Sequence, residues 1–115
     1  MPRDDHAYLM DMLLAAQDAA RFAVGLTFSQ FEKSRLHQYA ILKAIEVIGE
    51  AATRVSAETK KNHPDVPWSE IIGMRNRLVH GYFEVNLKRV WDTVQTDLST
   101  LIDQVEQIVP RDDEK

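Results

Sequence analysis

The sequence contains no cysteine, and this absence excludes several kinds of site. A chain without thiols cannot use a cysteine nucleophile, bind zinc through cysteine, hold an iron–sulfur cluster or form a disulfide. Three of the four histidines, His6, His37 and His63, are scattered along the chain and lack the spacing of metal ligands. We therefore expect neither a metal nor a cofactor.

Glycine and proline are also scarce, with four of each in 115 residues. The chain has no glycine-rich phosphate loop, so we do not expect it to transfer nucleotides by itself. It also lacks a flexible linker and an internal repeat, and its length suits one domain. We predict a single domain over residues 1–110 and a frayed tail over residues 111–115.

No long hydrophobic run is present. The longest one, residues 12–16, is far shorter than the ~20 residues that a membrane span needs. The start of the chain contains aspartates and does not resemble a signal peptide. These features predict a cytoplasmic protein without a membrane partner.

Acidic residues outnumber basic residues, and the resulting net charge of −4 argues against a protein that coats nucleic acid non-specifically. Positive charge is nevertheless concentrated between residues 73 and 89, where Glu84 is the only acidic residue. The cations of this stretch are Arg75, Arg77, Lys88 and Arg89. An anionic ligand would therefore bind locally, at this segment.

Apolar residues recur at alternating intervals of three and four over most of the chain, which is the spacing of one face of an α-helix. The pattern predicts helices over about 5–24, 35–60, 67–80 and 86–110. Alternating strand patterns are absent. The sequence thus predicts an all-α fold, an antiparallel bundle of four or five helices.

Several residues mark the predicted helix ends. Gly25 offers a stop for the first helix, and Ser29 with Glu32 has the spacing of a capping box before the second. Asn86 is a suitable N-cap for the last helix. The apolar stripe of that helix is interpreted as core packing within one bundle, although a coiled-coil seam between chains has the same spacing.

The third predicted helix carries a cation, Arg75, near the centre of its apolar face. Arginine cannot lose its proton, so it needs a carboxylate, an anionic ligand, or a stem that lies on apolar surface with its head in solvent. Glu46 and Glu50, one turn apart on the preceding helix, are candidates to pair with it. A solvated acidic face is the commoner arrangement for such a pair.

The opposite face of the same helix is polar. It carries Gly73, Asn76, Arg77 and His80. A glycine inside a helix costs up to ~1 kcal/mol relative to alanine, so Gly73 indicates the approach of another backbone or a ligand. Arg75 and His80 lie about 140° apart around an ideal helix. They would meet one small ligand only if the helix end distorts near Gly81 or a second chain contributes.

The segment from Arg75 to Tyr82, Arg-Asn-Arg-Leu-Val-His-Gly-Tyr, resembles the Arg-x4-His-x-Tyr motif of HepT-like proteins, the small toxins of the HEPN superfamily. Residues 67–74 and 45–51 are also similar to that family, so the resemblance extends over nearly the whole chain. It implies a metal-independent endoribonuclease. It also implies a homodimer in which two copies of the motif face each other across a cleft, and such a composite site would bring Arg and His together.

The resemblance also implies roles for individual residues. His80 would be the catalytic acid and base, Arg75 would bind the phosphate and stabilise the transition state, and Asn76 would orient one of them. Arg77, Lys88 and Arg89 would bind RNA or else be simply solvated.

Tyr82 corresponds to the tyrosine that a partner antitoxin modifies in this family. The partner is a minimal nucleotidyltransferase of the MntA type, which attaches AMP in a type VII toxin–antitoxin system. An ordinary core aromatic is the other interpretation of Tyr82.

A second function fits the same sequence: a helical subunit without chemistry of its own, which holds substrate or nucleotide for that nucleotidyltransferase. Both interpretations predict a dimer and the same partner. Cleavage of RNA by the purified, unmodified protein separates them.

Overall fold

The computed structural model describes residues 4–80 and 86–109, and these residues are helical with short connections and no strand. The α-helices are α1 (Asp5–Ala23), α2 (Phe28–Lys33), α3 (Arg35–Arg54), α4 (Ala57–Asn62), α5 (Trp68–His80), α6 (Leu87–Asp92) and α7 (Leu98–Ile108). A π-helical turn, Thr93–Asp97, joins α6 to α7. This confirms the predicted all-α bundle. Within the described ranges, no helix has the length and apolar character of a membrane span.

Four helices build the bundle, and their packing order is α5, α3, α1, α7. The most extensive contact joins α1 to α3, because the buried face of α1 is rich in alanine and allows a close approach. α5 packs on α3, and α7 packs on α1. Between the outer helices α5 and α7 lies an open groove, lined by residues that include Ile45 of α3, Gly73 and Arg77 of α5 and Leu101 of α7.

The first helix ends where the sequence predicts. Asp4 caps its start by accepting a hydrogen bond from the Ala7 N–H at 3.0 Å. Gly25 follows its end with φ of +78°, a left-handed conformation that glycine adopts without strain. This position confirms Gly25 as the stop signal.

The prediction for the second helix is wrong about the residues of the capping box before it and about the residue at which it ends. The capping box is formed by Thr27 and Gln30, which precede the short helix α2, and not by Ser29 and Glu32. The long helix α3 starts at Arg35, as predicted, with Ser34 as its N-cap.

α3 ends at Arg54, six residues before the predicted end at residue 60. Val55 is extended and buried, so the chain turns there. Ser56 then caps a separate helix, α4, by accepting from the Thr59 N–H at 3.2 Å. The side chain of Ser56 competes with a continuous helix because it satisfies the first backbone donors of a new one.

The last predicted helix is present but interrupted. Asn86 caps it as predicted, accepting from the Arg89 N–H at 3.1 Å. The interruption coincides with two hydroxyl groups that donate to backbone carbonyls one turn earlier: Thr93 to Arg89 at 3.0 Å and Thr96 to Asp92 at 2.6 Å. Such side-chain bonds disturb the α-helical pattern locally.

The apolar stripe of α6 and α7 faces the interior of this chain. Trp91, Val94, Leu98, Leu101 and Val105 are all buried, which confirms core packing within the bundle. Trp91 also contacts the fully buried Phe31, with ring centroids 5.3 Å apart. The predicted tail, residues 111–115, lies outside the described residues.

Candidate functional site

The candidate site begins with a close contact between α3 and α5. A Cβ atom added to Gly49 would lie 2.1 Å from Cβ and 2.7 Å from Cγ of Arg75, so no larger residue fits without a shift of the helices. The stem of Arg75 therefore lies directly on the backbone of α3. This contact places the guanidinium at the next residue of α3, Glu50.

Glu50 and Arg75 form an ion pair. Arg75 Nη2 lies 2.5 Å from Glu50 Oε2, and the two side chains are 26% and 42% exposed. The structure thus confirms that one of the two candidate glutamates pairs with Arg75. Glu46 lies instead 3.9 Å from Lys43 on its own helix.

Two further contacts fix this group. Arg75 Nη1 donates to Asn76 Oδ1 at 2.9 Å, and Glu50 Oε1 accepts from Arg54 Nη2 at 3.3 Å. Arg75 Nε is buried and has no hydrogen-bond partner. The guanidinium is therefore held by its terminal nitrogens, while its head remains partly accessible.

Each terminal nitrogen of a guanidinium carries two N–H donors. Glu50 and Asn76 each engage one terminal nitrogen of Arg75, so each of these two nitrogens has a second N–H that these contacts do not use. Arginine binds phosphate oxygens in this way. The arrangement is thus suited to a phosphate, and the roles of Arg75 and Asn76 stay predictions.

The remaining residues of the motif are placed only in part. His80 is the last residue of α5, and its side chain is not among the described groups. Tyr82 lies outside the described residues. The meeting of Arg75 with His80 therefore stays a prediction.

Within the described ranges no backbone approaches Gly73, and the approach of a ligand there stays a prediction. A Cβ added there would meet only Arg77 Nη1, at 4.0 Å. The close contact that a helix-interior glycine indicates is found at Gly49 instead. Gly73 lines the open groove, which has a volume of about 710 Å³.

The predicted RNA-binding cations are divided between two environments. Arg77 and Arg89 line the open groove together with three carboxylates, those of Asp65, Glu70 and Asp97. Lys88 does not line it: its Nζ lies 3.0 Å from Asp92 Oδ1 and 5.3 Å from the centre of the Phe28 ring. Arg77 is also about 200° from Arg75 around α5, since helical residues are about 100° apart.

The part of the chain that the structure describes contains no group of three or more His, Asp or Glu side chains placed to hold a metal ion.

Comparison with known proteins gives one consistent result. The family model for HepT-like ribonucleases matches residues 12–108. A relative from Thermococcus cleftensis, named "Probable ribonuclease HepT", is 33% identical over 94% of this chain and 98% of its own length. A relative from Methanocaldococcus jannaschii, whose name gives RNase as a provisional assignment, is 34% identical over 90% of this chain and 95% of its own. No solved structure matches the chain.

Proposed function

Because the chain belongs to the HepT-like ribonuclease family, we propose that it is a metal-independent endoribonuclease. The observation that carries this proposal is the partly exposed guanidinium of Arg75. Glu50 and Asn76 each bind one of its terminal nitrogens, and the remaining N–H groups can bind a phosphate. The names of the relatives support a ribonuclease activity. Only this chain's own side chains are needed for the chemistry.

The proposed reaction is attack of a ribose 2′-hydroxyl on its own phosphate. His80 removes the 2′-hydroxyl proton while the oxygen forms a bond to phosphorus, and the bond to the 5′-oxygen breaks. A proton returned by imidazole then completes the departing 5′-hydroxyl. Arg75 stabilises the charge that develops on the phosphoryl oxygens. The products are a 2′,3′-cyclic phosphate and a 5′-hydroxyl end.

We further propose that the active form is a homodimer. Arg75 lies against α3, and His80 is about 140° away from it around α5. One α5 helix therefore does not bring both groups to a single phosphate. Two copies of the motif across a shared cleft would do so, with Arg75 from one protomer and His80 from its partner.

Control of this site is proposed to act through Tyr82. A partner nucleotidyltransferase attaches AMP to the phenol, as expected for a type VII toxin–antitoxin system. The adduct would add bulk and negative charge two residues from His80, and both effects oppose binding of RNA phosphate. The unmodified protein is proposed to be the toxin of this pair.

RNA binding away from the scissile phosphate is assigned to Arg77 and Arg89, whose groove lies on the other side of α5 from Arg75 and also contains three carboxylates, with Lys88 as a weaker contributor. The ion pair of Lys88 with Asp92 offsets its charge. Cations that contact phosphates increase affinity in proportion to the counterions they release.

The test uses purified, unmodified protein and single-stranded RNA in EDTA. We expect cleavage to fragments that end in a 2′,3′-cyclic phosphate, and we expect Arg75→Ala and His80→Ala to abolish it with unchanged circular dichroism. Intact RNA with the wild-type protein would contradict the nuclease and favour the subunit without chemistry. Mass spectrometry of protein co-expressed with the nucleotidyltransferase should show adenylyl groups, and Tyr82→Phe should remove them.

A further inference from the structure

We propose that Glu50 is a positioning residue that sets the orientation of the Arg75 guanidinium for RNA cleavage. The inference rests on the proposed ribonuclease function and adds a residue outside the Arg-x4-His motif to the site. It starts from the contact of 2.5 Å between Glu50 Oε2 and Arg75 Nη2.

The orientation of Arg75 has three supports, and Glu50 is the only charged one among the described residues. Gly49 fixes the stem, and Asn76 accepts from Nη1. These two contacts do not fix the rotation of the guanidinium group, because an arginine side chain has many rotamers. The carboxylate of Glu50 fixes Nη2 and thereby the plane of the guanidinium.

Glu50 is itself held in place from the other side. Its Oε1 accepts from Arg54 Nη2 at 3.3 Å, one turn along α3. The carboxylate thus bridges two arginines, with one oxygen toward each. A bridge of this kind restricts the carboxylate and, through it, the guanidinium of Arg75.

The buried Nε of Arg75 makes this orientation matter for the ligand. Because Nε is buried without a partner, a phosphate cannot bind to the edge of the guanidinium that includes Nε. A phosphate must approach the end of the guanidinium, at Nη1 and Nη2. Rotation of the head would turn these donors away, so loss of Glu50 should weaken transition-state stabilisation more than RNA binding.

A purely structural role makes a different prediction. Partly exposed ion pairs contribute little to stability, so the pair has little structural value of its own. A structural role would change the melting temperature and the amount of folded enzyme. When kcat is calculated from the concentration of folded protein, a purely structural role would leave both kcat and KM unchanged, and its effect would not depend on the identity of residue 75.

The experiment compares Glu50→Ala and Glu50→Gln with Glu46→Ala. Glu46 is a matched control, since it lies one turn earlier on α3 and is equally exposed at 42%. We expect Glu50→Ala to lower kcat about 30-fold with KM changed less than about 3-fold. Glu50→Gln should fall between it and the wild type, and Glu46→Ala should cleave like the wild type.

Glu50→Ala is then combined with Arg75→Lys, which keeps a positive charge but lacks the planar guanidinium group. In that background Glu50→Ala should lower the residual rate less than about 3-fold, because residues that act through each other are not additive. An equal loss in both backgrounds would overturn the proposal. Wild-type rates in Glu50→Ala would also overturn it.

A second measurement does not depend on activity. The NMR signal of Arg75 Nε–H, identified by its loss in Arg75→Lys, should shift in Glu50→Ala and stay unchanged in Glu46→Ala. If wild-type protein leaves RNA intact but this shift occurs, the nuclease proposal fails while the orienting contact holds. If RNA is cut but Glu50→Ala changes neither rate nor signal, only the positioning role fails.

Discussion

Gly49 lies against Arg75 so closely that a methyl group on the glycine would overlap the arginine stem, 2.1 Å from its Cβ. The two residues couple the packing of α3 and α5 to the position of a functional side chain. A change at Gly49 should therefore affect stability and cleavage together.

Gly49→Ala should destabilise the fold by about 2 kcal/mol or more, because α3 and α5 must separate to admit the methyl group. Gly73→Ala is the matched substitution on α5, where the nearest atom is 4.0 Å away. It should leave stability unchanged or raise it by up to ~1 kcal/mol, the ordinary gain of alanine over glycine inside a helix. Urea unfolding of both variants measures the difference, and equal effects would contradict the contact.

Phe31→Ala should cost about 3–5 kcal/mol, since the side chain is fully buried and stacks on Trp91. Phe22→Ala is the control, as Phe22 is 40% exposed on α1. It should cost less than about 1 kcal/mol. Thermal unfolding followed by circular dichroism compares the two, and a small effect at Phe31 would argue against this core.

Asp5 should make folding depend on acid pH. Hydrogen bonds from the Ser56 and Thr59 hydroxyls, which join the starts of α1 and α4, lower the pKa of this carboxyl below its ordinary value of 3.8. A lowered pKa in the folded state gives stability that is fully present above 3.8 and is lost as pH falls through the folded-state value.

Asp5→Asn should therefore destabilise the protein at pH 7 by about 1 kcal/mol, an estimate kept small because the group is near solvent. The difference from wild type should shrink below pH 4. Asp103→Asn, at an exposed position of α7, serves as the control. Urea midpoints between pH 2.5 and 7 test this, and a constant difference over that range would refute the role of Asp5.

RNA binding should distinguish Arg89 from its neighbour Lys88. Arg77→Ala and Arg89→Ala should each weaken binding of a non-cleavable RNA and reduce the slope of log affinity against log salt by about 0.7. Lys88→Ala should have a smaller effect, because Lys88 pairs with Asp92 and lies over Phe28. Fluorescence anisotropy with 2′-O-methyl RNA measures the affinity of all three variants. An equal loss of affinity with Lys88→Ala would contradict the distinction between Lys88 and the two arginines.

Much of the fold could be predicted from the sequence because local signals and packing agree. Gly25 and Asn86 both have the chemistry that ends or starts a helix, and the structure uses both. Ambiguity arose where two signals competed. Thr27 with Gln30 and Ser29 with Glu32 have the same spacing, and choosing between them requires knowing that Phe31 is buried.

The end of α3 was missed for a related reason. The apolar series continues through Val55, and Val55 is indeed buried, so periodicity alone does not show that the backbone turns there. Ser56, with Thr59 three residues later, was the available signal. Its partner Asp5 lies 51 residues away in the chain, beyond any local pattern.

The site was predictable to the level of residue types. An arginine on an apolar face needs a partner, and Glu46 and Glu50 are the acidic residues on the preceding helix that the sequence offers. Spacing could not choose between them, since both lie on one face of α3. The structure distinguishes them through Gly49. Its lack of a side chain allows Arg75 to lie against α3, and the guanidinium then contacts the adjacent residue, Glu50.

The π-helical turn at Thr93–Asp97 acts as an inserted residue in an otherwise α-helical segment. An insertion of one residue advances everything before it by about 100° relative to α7. Arg89 lies on the N-terminal side of this turn and lines the groove. Deletion of one residue here should restore a continuous α-helix and rotate Arg89 by about 100° around the helix axis relative to α7, which would remove it from the groove that it shares with Arg77.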